Sequence, residues 1–217
     1  MTEDEIEDVV QAVFRCSATV ARELAPIFSA RKLVAKQVLA SQGAPSKMCW
    51  IVINGAIRVD AFGVNGQIQQ LSHYGPGEFF GAYPTETQHR AEIIAATRSL
   101  LLGTETVRLA NAVDRNVELA TGMARLLARQ LDRILDQMVI RSTYSAAGRV
   151  YAELLALAQT SQAIAPPPRI TSLALAANTT RETASRAIGV LVRRGIISRD
   201  EEKLVIHSAR MIEELIC

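Results

Sequence analysis

The sequence predicts an α+β chain in which a small antiparallel β jelly roll, a long helix and a helix-turn-helix with a strand hairpin follow one another. Three patterns predict it. From about residue 31 to 103, short apolar runs alternate with turn residues, the texture of a small antiparallel roll or barrel. From about 117 to 141, Ala120, Ala124, Leu127, Leu131, Ile134 and Met138 fall at spacings of 4, 3, 4, 3 and 4, a heptad seam. From 172 to 195, a short helix of small residues, an asparagine and a second amphipathic helix follow one another, and that order is a helix-turn-helix.

Residues 4 to 28 read as helical, with Ile6, Val9, Val10, Val13 and Phe14 forming an apolar stripe before Pro26. In the roll, Leu33-Val34, Val38-Leu39, Trp50 to Ile53, Ile57 to Val59, Ile68 to Leu71, Ile93-Ile94 and Leu100 to Leu102 are the expected strands. Asn54-Gly55 and Asn65-Gly66 are tight-turn dipeptides between strands. Thr104 or Thr106 can cap a short helix ending near Asn116. The long helix carries a second apolar stripe, Leu119, Met123, Leu126, Leu135 and Val139. One stripe can pack on the chain's own roll and the other on a second copy. Ser142 to Ser145 breaks the pattern and reads as a hinge, and Ala146 to Ala158 is a further helix. Ala165-Pro166-Pro167-Pro168 is a stiff connector, because proline fixes φ and removes a donor. The expected domains are 1–116, 117–144 and 145–217.

Thr179 followed by Glu182 is a capping-box spacing, so the second helix of the pair is expected to start there. Ala184, Ile188, Leu191 and Val192 give it an apolar face, and Arg181, Glu182, Ser185 and Arg186 fall opposite. Arg193-Arg194-Gly195 closes it with cations and a left-handed glycine. Arginine can donate two hydrogen bonds to guanine, and glutamate can accept from cytosine N4. Such residues on the exposed first turns of a second helix suit a major-groove reader. Ile196 to Ser198 and Leu204 to Ile206 flank Asp200 to Lys203 as a hairpin wing. A last helix starts near Ser208, with Met211, Ile212, Leu215 and Ile216 on one side.

The 217 residues are enough for one large or two small domains, and a hydrophobic content of 49% is that of a globular chain. The net charge of +2 is unevenly spread. Residues 169 to 199 hold Arg169, Arg181, Arg186, Arg193, Arg194 and Arg199 against the single acid Glu182, a field suited to phosphates. Cys16, Cys49 and Cys217 form no CxxC pair, so neither zinc nor a disulfide framework is indicated. There is no apolar run of membrane-spanning length and no signal pattern, and a cytoplasmic protein without a membrane partner is expected. No Walker-type loop, HExxH or GxSxG pattern occurs, so no enzyme is expected.

Taken together, Gly43-Ala44-Pro45, Asn54 to Val59, Gly75-Pro76-Gly77-Glu78-Phe79-Phe80-Gly81 and Thr180-Arg181-Glu182-Thr183 with Arg186 resemble the cAMP receptor protein/FNR superfamily of bacterial transcription regulators. The resemblance covers nearly the whole chain. It implies a cyclic-nucleotide-binding-type roll, a dimerisation helix and a winged helix-turn-helix that binds double-stranded DNA as a homodimer, with RNA polymerase as a partner if the protein activates. Arg181, Glu182 and Arg186 would then contact bases, similar to members that read a TGTGA-like half-site. Thr180, Thr183, Ser185 and Lys203 would contact phosphates. Ala120, Ala124, Leu127, Leu131, Ile134 and Met138 would form the dimer seam.

In the effector pocket that the resemblance implies, around Gly81, Ala82, Arg90 and Ala91, the chain departs from the family pattern. Ala82 stands where nucleotide-binding members have a ribose-binding Glu. Arg90-Ala91 stands where they have Arg followed by Ser or Thr. Gln130-Leu131 or Ile134-Leu135 replaces the Thr-Ser pair of the long helix. Each loss removes a hydrogen bond, those to the ribose and phosphate being charge-assisted, so weak or absent cAMP binding is expected. No iron–sulfur cluster is expected, since Cys16 is the only N-terminal cysteine. Haem would need an axial ligand, for which His73 and His89 are the candidates in the roll, and none is expected to be bound. The competing reading is an effector-binding protein, gated by cyclic nucleotide or haem, or one whose C-terminal domain docks a protein. Steeply salt-dependent binding to duplex DNA separates a DNA-binding regulator from a ligand-binding protein whose C-terminal domain docks a protein and not DNA.

Overall fold

The computed structural model describes residues 1–63, 68–158 and 162–216. The chain divides into two compact units, Met1–Asp132 and Arg133–Cys217. The Asn65-Gly66 turn and Cys217 lie outside the described residues.

The first unit opens on α1 (Glu3–Phe14), where Thr2 and Glu5 form a reciprocal capping box. The helical stretch is not continuous. Arg15 takes a left-handed φ of 52°, and α2 (Ala18–Leu24) restarts after it. The strands are β1 (Ser29–Leu33), β2 (Val38–Ala40), β3 (Pro45–Ser46), β4 (Met48–Asn54), β5 (Ile57–Phe62), β6 (Ile68–Tyr74), β7 (Phe79–Gly81), β8 (Thr87–Gln88), β9 (Glu92–Ala95) and β10 (Ser99–Glu105). They pair as two four-stranded sheets, ordered β1-β10-β4-β7 and β2-β9-β5-β6, with a small β3-β8 pair.

β4 explains the arrangement. Trp50 and Val52 join Leu33, Ile57, Phe80, Ile93, Ala95 and Leu101 inside the roll. Cys49 and Ile51, on its other face, join a core shared with the helices, including Phe14, Leu24, Leu109, Leu119, Met123 and Leu126. A strand buried on both faces reads as an unbroken apolar run rather than an alternating one. Asn54-Gly55 is a corner, not a hairpin, because β4 and β5 belong to different sheets. Gly55 has a φ of 88°. Ala56 N–H is held by the hydroxyls of Thr97 at 3.0 Å and Ser99 at 3.2 Å, which turns the chain into the second sheet.

α3 (Thr106–Arg115) is not capped by Thr104 or Thr106. Glu105 occupies the N-cap position without a side-chain bond. Thr106 instead donates to the Ala82 carbonyl at 2.7 Å. Asn116 accepts from Leu119 N–H at 3.1 Å and so caps α4 (Val117–Thr143). Leu119, Gly122, Met123 and Leu126 are the buried residues of α4. Ala120 packs partly against the first unit's core.

In the second unit, Ser145 caps α5 (Ala146–Leu157) by accepting from Gly148 N–H at 3.0 Å. α6 (Ile170–Ala176) and α7 (Arg181–Arg193) follow. The wing has three strands rather than two. β11 (Ala163–Ile164) pairs with β13 (Leu204–Ile206), which pairs with β12 (Ile197–Arg199). Ser208 caps α8 (Ala209–Glu213), in which Ile212 is buried while Met211 is exposed. One core, built on Val150, Leu154, Leu173, Ala184, Ile188, Leu191, Leu204 and Ile212, holds these elements together.

Candidate nucleic-acid interface

The turn between α6 and α7 is specified by backbone chemistry. Thr179 N–H reaches Ala174 O at 2.9 Å, and Asn178 N–H reaches Leu175 O at 3.1 Å. With Asn178 at φ 52°, these bonds make a Schellman ending. α7 does not start with the Thr179–Glu182 box. Thr180 is its N-cap, accepting from Thr183 N–H at 3.2 Å. The threonine one position on has the extended backbone that a cap requires. At the far end, Gly195 has a φ of 66° and Ile196 N–H bonds Leu191 O at 2.9 Å, the glycine cap expected from the sequence.

Ala184, Ala187, Ile188 and Leu191 are the buried face of α7. Val192, expected on that face, is exposed, and Ala187 takes its place. Arg181, Glu182, Ser185 and Arg186 are all exposed and share one side of the first two turns. Glu182 is held below the usual carboxylate range by hydrogen bonding to its own N–H and the Thr180 hydroxyl, and by the Arg181 and Arg186 charges. Arg186 Nε donates to Glu182 O at 3.3 Å. The result is an ionised acceptor between two guanidinium groups, a donor–acceptor pattern that can address base edges.

The proposed phosphate contacts divide. Thr180, Thr183 and Ser185 stand at the N-terminus of α7, where orphan N–H groups and the helix dipole favour anions. Lys203 stands on the wing turn with the exposed acids Asp200, Glu201 and Glu202. Asp200 accepts from Glu202 N–H at 2.8 Å and Lys203 N–H at 2.7 Å, and these bonds keep it ionised. Three acids against one lysine make the wing tip a poor footing for phosphate.

The roll holds a cavity of about 320 Å³ lined by Ser46, Val59, Leu71, Tyr74, Phe80, Gly81, Thr87, Gln88, His89, Arg90, Ala91 and Ile93. Three of the four expected pocket residues are therefore together. The fourth, Ala82, is not among the lining residues; its carbonyl accepts from Cys49 Sγ at 2.9 Å and Thr106 Oγ1 at 2.7 Å. Burial pushes His89 below the ordinary imidazole range. Tyr74 and Phe80 stack at 4.9 Å, giving the cavity an aromatic wall. Glu78 stays outside it, accepting from Gly75 N–H at 2.6 Å to close the turn before β7. His73 is exposed on β6.

Comparison with known proteins agrees with both halves. Residues 30–116 match the cyclic nucleotide-binding domain family, and residues 148–215 match the Crp-like helix-turn-helix domain family. The chain belongs to the CRP/FNR family.

It is 29% identical over 178 residues to the cyclic AMP receptor protein of Thermus thermophilus, covering 80% of this chain and 82% of that protein. The fold is that of FixK2 from Bradyrhizobium japonicum, at a TM-score of 0.77 and 20% identity, over 88% of this chain and 98% of that one. It is also that of a CRP/FNR-family transcriptional regulator from Thermus thermophilus, at a TM-score of 0.71 and 24% identity, over 87% of this chain and 98% of that one. This CRP/FNR regulator therefore carries a DNA-binding helix-turn-helix behind a cyclic nucleotide-binding-type roll. Among its described residues no helix is long and apolar enough to cross a membrane.

Arg149 escaped sequence reasoning, and Gln130, singled out there only for its register on the long helix, makes a bond that the sequence did not show. Arg149, on α5, donates to the carbonyls of Ala177, Asn178 and Tyr144. Gln130, on α4, donates to the Phe79 carbonyl, beside the Phe80 that walls the cavity. The bonds to Ala177, Asn178 and Phe79 join positions 28, 29 and 51 residues apart in sequence, and neither Arg nor Gln on a helix announces such a partner.

Proposed function

We propose that this regulator works as a homodimer that reads a two-fold-related pair of TGTGA-like half-sites through α7, without requiring cAMP. Arg181 and Arg186 donate to guanine edges, and Glu182 accepts from cytosine. Thr180, Thr183 and Ser185 hold phosphates, which sets position without specifying sequence. The observation that carries the reading is the shared exposed side of Arg181, Glu182, Ser185 and Arg186 on a capped helix. Dimerisation is supported by α4, whose Leu127, Leu131, Ile134 and Met138 are exposed in the single chain. Ala124 is exposed in line with them, whereas Ala120 serves the chain's own core.

Independence from cAMP is supported by the cavity lining, which includes no Asp or Glu to accept from a ribose hydroxyl. Ala91 offers no hydroxyl beside Arg90. No cofactor is assigned. A second reading, in which an effector gates DNA binding, draws on the same cavity. Its volume and the flanking Arg90 suit a small anionic molecule of other shape, and the name of the Thermus relative points to cyclic AMP. If the protein activates transcription, RNA polymerase is its further partner.

Selection of binding duplexes from a randomised library tests the proposal. The expected product is an inverted repeat whose half-sites lie one duplex turn apart, about 34 Å centre to centre. Recovery of unpaired half-sites, or no enrichment, would contradict it. Repeating the selection with cyclic AMP tests whether that nucleotide gates binding, and enrichment only in its presence would favour the second reading.

A further inference from the structure

We propose that Arg149 is a positioning residue for DNA reading, a guanidinium strut that ties the turn ahead of α7 to the end of α4. The inference rests on α7 being the reading helix.

The three nitrogens of Arg149 each serve a different backbone carbonyl. Nε donates to Ala177 O at 2.8 Å, Nη2 to Asn178 O at 3.0 Å and Nη1 to Tyr144 O at 3.1 Å. Ala177 and Asn178 form the turn, and Thr180, the cap of α7, lies two residues on. Tyr144 is the first residue after α4. One planar group therefore joins the turn ahead of the reading helix to the residue that follows α4, with Arg149 itself 29 positions from Asn178.

The chemistry favours arginine here. The carbonyls at the end of α6 lack helical partners and carry the negative end of its dipole. A guanidinium satisfies them with donors in fixed planar directions, whereas a lysine ammonium is a single point that cannot span three acceptors. Burial adds to the effect, because an unpaired carbonyl in a part-buried turn costs more than the bond itself contributes. The neighbour Gly148 keeps this end of α5 close to the chain's last turn. A Cβ there would meet Ile216 O at 2.8 Å. The strut is thus seated on a backbone that cannot easily shift.

Arg149 is part-buried and its nitrogens are taken by protein carbonyls, so it is no phosphate ligand. Its loss should leave non-specific binding alone and loosen the aim of Arg181, Glu182 and Arg186. Any change at the α4–α5 junction that moves the Tyr144 carbonyl would be felt at the turn through the same group.

The test is fluorescence anisotropy of the full-length protein and its Arg149→Lys and Arg149→Met variants on two duplexes. One is the palindrome recovered by selection, and the other is a scrambled duplex of equal length and composition. Each is titrated at several salt concentrations. The expected result is a preference for the palindrome reduced roughly tenfold or more in both variants. Affinity for the scrambled duplex, and the slope of log K against log salt, should stay unchanged.

Hydrogen exchange without DNA provides a second readout. The Thr183 and Ala184 amides should exchange faster in Arg149→Lys while that of Leu191 does not. Wild-type discrimination by Arg149→Lys with unchanged exchange would overturn the inference, as would a salt slope lowered by about one, the mark of a lost phosphate contact. If Arg149→Met does not fold, the Lys variant and the exchange measurement still decide. Should the wild type itself show no preference between the duplexes, the reading of α7 fails, and not only the strut.

Discussion

Leu131→Ala should weaken the dimer without unfolding the chain. In the single chain, Leu131 is 57% exposed, midway along the stripe of Leu127, Ile134 and Met138. Fully burying a leucine contributes about 1.5–3 kcal/mol, so covering the exposed part of this one is worth about 1–1.7 kcal/mol. In a two-fold dimer each substitution acts twice. Truncation to alanine keeps only the Cβ, so the loss comes to about 1–3 kcal/mol per dimer, roughly 5- to 150-fold in the dissociation constant. Sedimentation velocity over a concentration series reads that constant directly. Because Leu131 contributes little to either unit's own core, melting of the separated chains should match the wild type. A dimer constant unchanged within threefold would refute the assignment of this stripe, and a protein monomeric before substitution would refute the dimer.

Two further predictions concern the roll. Titration calorimetry with cAMP should show no binding at micromolar concentrations, since a ribose-binding acid and a hydroxyl beside Arg90 are both missing; micromolar or tighter affinity would overturn that. The Cys49 thiol is pushed up to about 11 by burial, against 9.0 for a free thiol. Folding favours its neutral form, so this contribution to stability is intact below pH 9 and is lost as pH rises toward about 11. Iodoacetamide at pH 8 should therefore leave Cys49 intact in the native protein, and Cys49→Ala should flatten the alkaline fall in melting temperature. Rapid alkylation at pH 8, or an alkaline fall identical in the variant, would contradict the burial argument.

What could be read from sequence follows the range of the physics. The exposed side of α7 was legible because a helix repeats every 3.6 residues and its cap, turn and glycine stop are local signals. The error was one residue wide, with Thr180 rather than Thr179 as the cap, since two adjacent threonines offer the same hydroxyl. The same limit explains Val192 and Met211, at the edges of apolar faces where burial depends on what packs alongside. Asn54-Gly55 announced a turn but not which sheet each flanking strand would join. That choice is made by Thr97 and Ser99, more than 40 residues away. The third wing strand was missed because Ala163-Ile164 is too short to show a period of two. Arg149 and Gln130 act through bonds to distant carbonyls, which no local pattern encodes.

The most direct test of the reading helix is the base preference of Arg186→Ala, measured by competition between the selected duplex and its single-base variants at fixed salt. Loss of an arginine–guanine contact should cost about 1–3 kcal/mol on the selected duplex and relax one position in each half-site, leaving the others as they were. An Arg186→Ala protein that ranks every single-base variant as the wild type does would show that this face of α7 does not read the sequence.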